Sequence, residues 1–516
     1  MQAKKQPLLD YRLATVLYTF IAALSYVACG AMVGWSSGAL HRGRSGPQLD
    51  NWTISLIATP AAVLAVTACF VHRWYLWIGT KSFLLAASLL AVGSAALEAL
   101  APSSGAFWCA SVSRVLAGVG AGIAFTLVPS YVAELGAATP WRSPWRSLVD
   151  ELVAAAFPLG VLLRFTVDLL PVRTELSALL CGAFGVFTFV ACLFLPESAQ
   201  YLSAVGRPAH ATATLQRTHG TDHATQQAMQ ELLERWQQRS SPAGPPCGLL
   251  EAVRRQGNLT LLLPLLALFA FQACVGAVPL LFYLSDVLEL IGVNGHTGHG
   301  LFGGQAAAAA LLAAVFTATG PLLGWLLRHR LQAGNYPHRV LLLTSTLLMA
   351  LAMLALGWQC HVRGTHSPSP HVPAPAAHQN GPLIALALYY TCYAVGFHRL
   401  PGKLLDAELD DEELRFPLHT LATVISWGTV YVAVRLLPVL LRAIGIGWLF
   451  WNVALVALFA VVVLIVSLPS GGDCDHHHHP HRRPTCRPCA RPCPHCVYSS
   501  QCVDVALPVD AKPSNV

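Results

Sequence analysis

The sequence predicts an all-α membrane protein with twelve transmembrane helices in two pseudo-symmetric six-helix halves. Composition is the first reason: 55% of the 516 residues are hydrophobic and only 11% are charged. A soluble domain of this length carries about twice that share of charge. The second reason is that apolar segments long enough to cross a bilayer, about 20 helical residues each, recur twelve times. Third, six of them precede and six follow a polar stretch, an arrangement that suggests a pseudo-symmetric transporter with its site between the halves at mid-membrane.

In chain order the spans are expected near 13–36, 52–71, 81–102, 107–133, 148–170, 176–196, 259–284, 301–327, 340–358, 381–402, 417–441 and 447–468. Residues 1–12 form an amino-terminal segment, 13–196 the first half, 197–258 a linker, 259–468 the second half and 469–516 a tail. Lys4, Lys5 and Arg12 precede the first span, which is expected to serve as the targeting signal. Placing the amino terminus inside leaves Arg42, Arg44, Arg173, Arg363 and Arg442 outside, and Arg114, Arg164 and Arg435 within helices. The remaining bases then face the cytoplasm, as do both termini. The net charge of +7 is spread over short loops, so it reflects topology and a lipid bilayer rather than a nucleic-acid partner. Within the linker, Met229, Leu232, Leu233 and Trp236 recur at helical spacing, which predicts a short cytoplasmic helix over 221–238.

The stretch Ser113 to Arg146 organises the chain. Gly118, Gly120 and Gly122 let a neighbouring helix approach closely. Arg114, Glu134, Arg142 and Arg146 put charge at and beyond the helix ends, where charge in a bilayer protein usually has a function. The order Arg114, Gly118, Gly122, Pro129, Tyr131, Glu134 resembles the fourth helix of the sugar porters of the major facilitator superfamily. A second match runs from Leu195 to Arg207, where PESAQYL and Gly206-Arg207 are similar to the family's PESPRYLL…GR. The resemblance implies a cytoplasmic charge latch that holds the inner face shut, with Arg114, Glu134, Arg142, Arg146, Glu197, Arg207, Glu408 and Arg415 as its candidates.

The seventh span carries Phe271, Gln272, Gly276, Phe282 and Tyr283, similar to the family's QQLSGINAVFYY. A sugar entering a helix core must exchange water for other hydrogen bonds, and each unmet partner costs roughly 1 to 3 kcal/mol. The resemblance therefore implies Gln272, Phe282, Tyr283, Ser426 and Trp427 as substrate-binding residues. Part of the family's set is replaced: Ala273 stands for a glutamine, Val278 for an asparagine, Ser426 for the asparagine before Trp427, and no glutamine lies between Ser147 and Leu163. The loop Leu76 to Lys81 keeps only Gly79 and one base of DRxGRR, and Arg328 to Arg339 lacks its aspartate. Gly402 replaces a tryptophan, one extra residue separates Pro401 from Glu408, and Leu468-Pro469-Ser470 replaces the closing PET.

Proton-coupled members carry an aspartate in the first helix, where this chain has Met32. That substitution favours facilitated diffusion, because a membrane carboxylate is what exchanges protons in such carriers. Asp286 and Glu289, near the end of the seventh span, are expected to be solvated, and Arg164 with Asp168 one turn later to be a structural pair. Asn51-Trp52-Thr53 is an external sequon and Asn258-Leu259-Thr260 an internal one. Gln359 to Gly381, rich in proline and histidine, is expected as a disordered external loop. In the tail, Cys486, Cys489, Cys493 and Cys496 with neighbouring histidines can form a tetrahedral thiolate zinc site. Only three residues separate the pairs and prolines stiffen them, so a disordered tail is the expectation, with S-acylation of a cysteine as a further option.

Function follows from the resemblance: a plasma-membrane carrier, monomeric, that moves a hexose or a disaccharide such as trehalose by alternating access, without chemistry or cofactor. Ala273 and Val278 also suit a non-transporting sugar sensor or a carrier of a less polar solute. No arrangement of nucleophile, base and oxyanion donors points to an enzyme.

Overall fold

The computed structural model describes residues 8–42, 51–104, 107–135, 144–170, 173–219, 226, 230, 233–234, 249–256, 259–291, 305–331, 337–366, 376–409 and 412–467. They form α1 (Leu8–Arg42), α2 (Asn51–Ile78), α3 (Thr80–Ser104), α4 (Phe107–Leu135), α5 (Pro144–Leu169) and α6 (Thr174–Leu193). Short helices α7 (Ala199–Ala204), α8 (Pro208–His219) and α9 (Leu249–Gln256) follow. Next come α10 (Leu259–Cys274), α11 (Ala277–Phe282), α12 (Leu284–Leu290), α13 (Gln305–Leu331) and α14 (Pro337–His366). The series ends with α15 (Ala376–Val395), α16 (Leu400–Glu408), α17 (Glu412–Ile444) and α18 (Ile446–Ser467). Among the described residues, 11 stretches are long and apolar enough to cross a membrane, and α13 holds a shorter apolar segment, Ala307–Gly320. The protein is all-α and multi-pass.

Large apolar side chains such as Phe70, Trp77, Phe194 and Phe459 are exposed on this bundle, as lipid-facing residues must be. Inside, one core cluster runs from α1 through α18. Here α1 packs along α5, α3 and α2 along α4, and α14 along α18; the helices before the linker meet those after it where α5 packs on α13 and α2 on α17. Gly118 and Gly122 of α4 face α2, whereas Gly120 faces Ala87 of α3. A Cβ added at Gly122 would lie 2.6 Å from the Thr67 Cβ, and one at Gly118 would lie 2.8 Å from the Val63 Cβ.

Two spans differ from the continuous helices expected. The stretch 259–284 breaks at Gly276, whose φ of +86° is a left-handed conformation that glycine adopts without strain. The stretch 381–402 breaks between Val395 and Leu400, and Pro401 opens α16, where its missing N–H has no helical partner to lose. Asp286 is also a correction: it is buried rather than solvated, in the first turn of α12, which starts after a further interruption at Tyr283. Within the stretch 359–381 expected as a loop, residues up to His366 continue α14 and those from Ala376 begin α15; 367–375 lie outside the described residues.

Of the linker helix expected over 221–238, residues 226, 230, 233 and 234 are described and are helical. Leu233 is buried against Ala199, Leu202, Ala211 and Leu215 in a small separate cluster. The Thr15 hydroxyl donates to the Thr218 carbonyl at 2.7 Å, tying α8 to α1.

Candidate functional site

At one end of the first six long helices, Glu134 finishes α4 facing the start of α7. Its Oε2 accepts from the Ser198 hydroxyl at 2.6 Å, and its Oε1 accepts from the backbone N–H groups of Ala199 and, at 3.1 Å, Gln200. The carboxylate thus satisfies donors that a helix start leaves open. Glu197 accepts from the Lys81 N–H at 2.9 Å, while Lys81 Nζ donates to the Leu193 carbonyl at 2.7 Å. The Tyr131 hydroxyl donates to the Pro196 carbonyl at 2.8 Å. The PES run is therefore clasped from α3 and α4 chiefly through backbone groups. Among the described residues, no ion pair joins Glu134 or Glu197 to an arginine, and Arg207 is exposed.

Arg142 lies outside the described residues, as do the side chains of Arg146 and Glu408. Arg415 pairs with Asp406 instead, its Nε 3.3 Å from Oδ1, and His419 Nε2 lies 2.8 Å from the same oxygen. Asp406 is half exposed on α16.

Arg114 does not join this end. It sits 20 residues before Glu134 on the same helix, about 30 Å away at 1.5 Å per residue. There its Nη2 lies 3.1 Å from Glu98 Oε2 and its guanidinium stacks 3.8 Å over the Trp35 ring. Arg164 binds the other Glu98 oxygen at 3.0 Å and Asp168 at 3.5 Å. The Arg164 and Asp168 pair is thus part of a four-charge cluster. It borders a cavity of about 70 Å³ within the first six long helices, which Met32 also lines.

Between the two sets of helices, Trp427 of α17 meets Phe125 of α4 at 4.9 Å between ring centroids and Phe157 of α5 at 6.3 Å. Gln272 donates its amide to the carbonyls of Phe397 (3.0 Å) and His398 (3.2 Å), inside the break of the tenth span. Tyr283 is buried, and its hydroxyl donates to the Val434 carbonyl at 3.1 Å. That carbonyl is the one whose helical donor Pro438 removes. Phe282 is fully buried and Ser426 half-buried beside Trp427. The structure thus brings Gln272 and Trp427 to the same contact region and gives Tyr283 a structural bond.

Sequence reasoning missed three residues here. Glu151 of α5 and Arg399 at the break form an ion pair, both nearly fully buried. His398 lies 3.3 Å from the Ala154 carbonyl, again one freed by a proline, Pro158. A His-Arg pair and a glutamate inside apolar spans were the available signal. Among the described residues no cluster of three His, Cys, Asp or Glu side chains suits a metal, and Cys486, Cys489, Cys493 and Cys496 lie outside them.

The sequence matches the family described as "Sugar (and other) transporter" over residues 17–471. It is 24% identical over 482 residues to the facilitated glucose transporter member 8 of solute carrier family 2 from Bos taurus, covering 88% of this chain and 91% of that one. Against the galactose-proton symporter of Escherichia coli K12 it is 25% identical over 468 residues, with 88% and 91% covered. The fold is similar to that of the proton:xylose symporter XylE bound to 6-bromo-6-deoxy-D-glucose, with a TM-score of 0.67 at 16% identity and 89% and 96% of the two chains covered. The partially occluded inward open form of the E. coli xylose transporter gives the same score at 15% identity, covering 89% and 100%. A match across most of the length, on an all-α multi-pass bundle, places the chain in the sugar (and other) transporter family, membrane carriers of small molecules with the major facilitator fold.

Proposed function

We propose that the protein is a facilitative sugar carrier for a hexose or a disaccharide such as trehalose, working by alternating access between two six-helix halves, residues 13–196 and 259–468. Residues 197–258 link the halves on the cytoplasmic face, where residues 1–12 and the tail from 469 also lie, in a plasma-membrane monomer. The observation that carries this reading is the meeting of Gln272 and Trp427 with Phe157 and His398 across the two sets of helices. A sugar needs such a pairing of an amide with aromatic faces, since its hydroxyls seek donors and acceptors while its C–H face packs on rings.

In this reading Gln272, Ser426 and Trp427 touch the sugar, and Phe282 with Tyr283 shape the wall behind it. Glu134, Glu197, Arg142, Arg146, Arg207, Glu408 and Arg415 belong to the cytoplasmic gate, and Arg114 braces the first half from within. Met32 in place of a carboxylate supports transport without proton coupling. A second reading, a sensor or a carrier of a less polar solute, is favoured by the Gln272 amide being engaged by Phe397 and His398, beside Ala273 and Val278.

The test is uptake of labelled glucose and trehalose into liposomes containing the purified protein. Saturable uptake that ignores a pH gradient and falls at least ten-fold in Gln272→Ala is expected; ten-fold corresponds to about 1.4 kcal/mol. Correctly folded protein without uptake of either sugar would overturn the carrier reading.

A further inference from the structure

The charge pair missed by the sequence reading sits where a moving carrier must come apart. Glu151 belongs to α5 and Arg399 to the break between α15 and α16, so their ion pair joins helices on opposite sides of the linker, nearly fully buried at 4% and 5% exposure. Phe397, His398 and Arg399 at the break are also held from two further helices and from α5 a second time. Gln272 of α10 donates to the carbonyls of Phe397 and His398. Arg399 Nη1 donates to the Gly320 carbonyl of α13 at 3.2 Å, and His398 bonds the Ala154 carbonyl of α5.

Two of these attachments, Arg399 with Glu151 and His398 with Ala154, reach α5 within one helical turn. Along α5 both lie between the amino-terminal turn and Phe157, on the Glu134 side of the Trp427 contact. Separating α5 from the break therefore exposes a charge pair that low dielectric holds together and that neither partner leaves cheaply alone. The break also interrupts the tenth span, since Gly396 to Arg399 lie between α15 and α16.

We propose that Glu151 and Arg399 form a charge latch between the halves, separate from the hydrogen-bonded cluster at Glu134 and Glu197, and that it sets how readily the bundle opens on the Glu134 side. Both are positioning residues. The inference rests on the alternating-access reading but not on the identity of the solute.

The test is a distance measurement by paired spin labels on ketone-bearing unnatural residues at Trp77 and Val340, exposed positions in terminal turns of α2 and α14. Native cysteines then stay unlabelled. Glu151→Gln and Arg399→Gln are each expected to raise a longer-distance population about five-fold or more. The double variant should rise no further than the larger single change, because the two groups act as one interaction. Singles that keep the parental distribution, or a double in which the two effects add, would overturn the proposal. Should either glutamine variant not fold, Glu151→Asp and Arg399→Lys keep the charge with altered reach and must shift the same population; a parental distribution in both refutes the latch. The readout needs no solute, so absence of sugar uptake by the unsubstituted protein would sink the carrier reading and leave this result standing on its own.

Discussion

The Tyr389 hydroxyl donates to the Val275 carbonyl at 2.5 Å, and that carbonyl lies at the Gly276 break between α10 and α11, where the helical hydrogen-bond ladder is interrupted. Tyr283 does the same for Val434, the carbonyl freed by Pro438. In a bilayer core no water can fill such a vacancy, so a tyrosine from a neighbouring helix takes the place of the missing N–H. Tyr389→Phe should lower stability by about 1 to 2 kcal/mol, and Tyr283→Phe by a similar amount. Thermal unfolding in detergent checks both. The two bonds have no atoms in common, so the double variant should lose close to the sum.

Glu134 makes a different kind of closure. One carboxylate receives the Ser198 hydroxyl and two backbone N–H groups at the start of α7. Glu134→Gln keeps one accepting oxygen and should cost less than Glu134→Ala, which strands all three donors. A loss of about 2 to 3 kcal/mol is expected for the alanine variant, as for a hydrogen-bonded charged group. Hydrogen exchange at Ala199 and Gln200 should rise first, since their amides lose their acceptor directly.

Glu98 is shared by Arg114 and Arg164, both buried at 3% exposure. Glu98→Gln leaves two buried guanidiniums with Asp168 as the remaining carboxylate in the cluster. The loss should be about 3 to 5 kcal/mol, the usual cost of removing one partner from a buried pair. Adding Arg114→Met should recover part of that loss, because it removes one of the stranded charges. A double-mutant cycle on unfolding temperature measures the recovery; purely additive losses would contradict a shared counter-ion.

Helix existence was legible because lipid imposes it: twenty apolar residues in a row have few other fates. Breaks were less legible. Gly276 and Pro401 are visible in the sequence, yet Gly118, Gly122 and Pro129 occupy an unbroken helix, so residue type alone does not separate a break from a packing face. The fourth-helix stretch drew attention to Glu134 and the PES run to Glu197, and the donors to these carboxylates are backbone N–H groups and a serine, which no charge count reveals. Glu151 and Arg399 lie 248 positions apart in the numbering, and only the packing of α5 against the broken tenth span brings them together. Resemblance pointed to Gln272, and the structure adds what it holds.

Trp427 closes the contact between the two sets of helices, edge-on to Phe125 at 65° and to Phe157 at 77°. Such T-shaped pairs add about 0.5 to 1.5 kcal/mol beyond burial. Trp427→Ala should therefore cost about 3 to 5 kcal/mol, combining lost burial with the cavity left behind, whereas Trp427→Phe keeps one ring and should lose markedly less. The consequence for transport is separable from stability. If the indole is the face on which a sugar packs, Trp427→Phe should retain the fold but raise the half-saturation concentration for glucose, with the maximal rate less affected. If the ring only seals the contact, Trp427→Phe should alter the maximal rate and leave half-saturation unchanged. Concentration-dependent uptake by Trp427→Phe, beside Phe125→Leu as a variant that loosens the same contact without removing the indole, distinguishes the two outcomes.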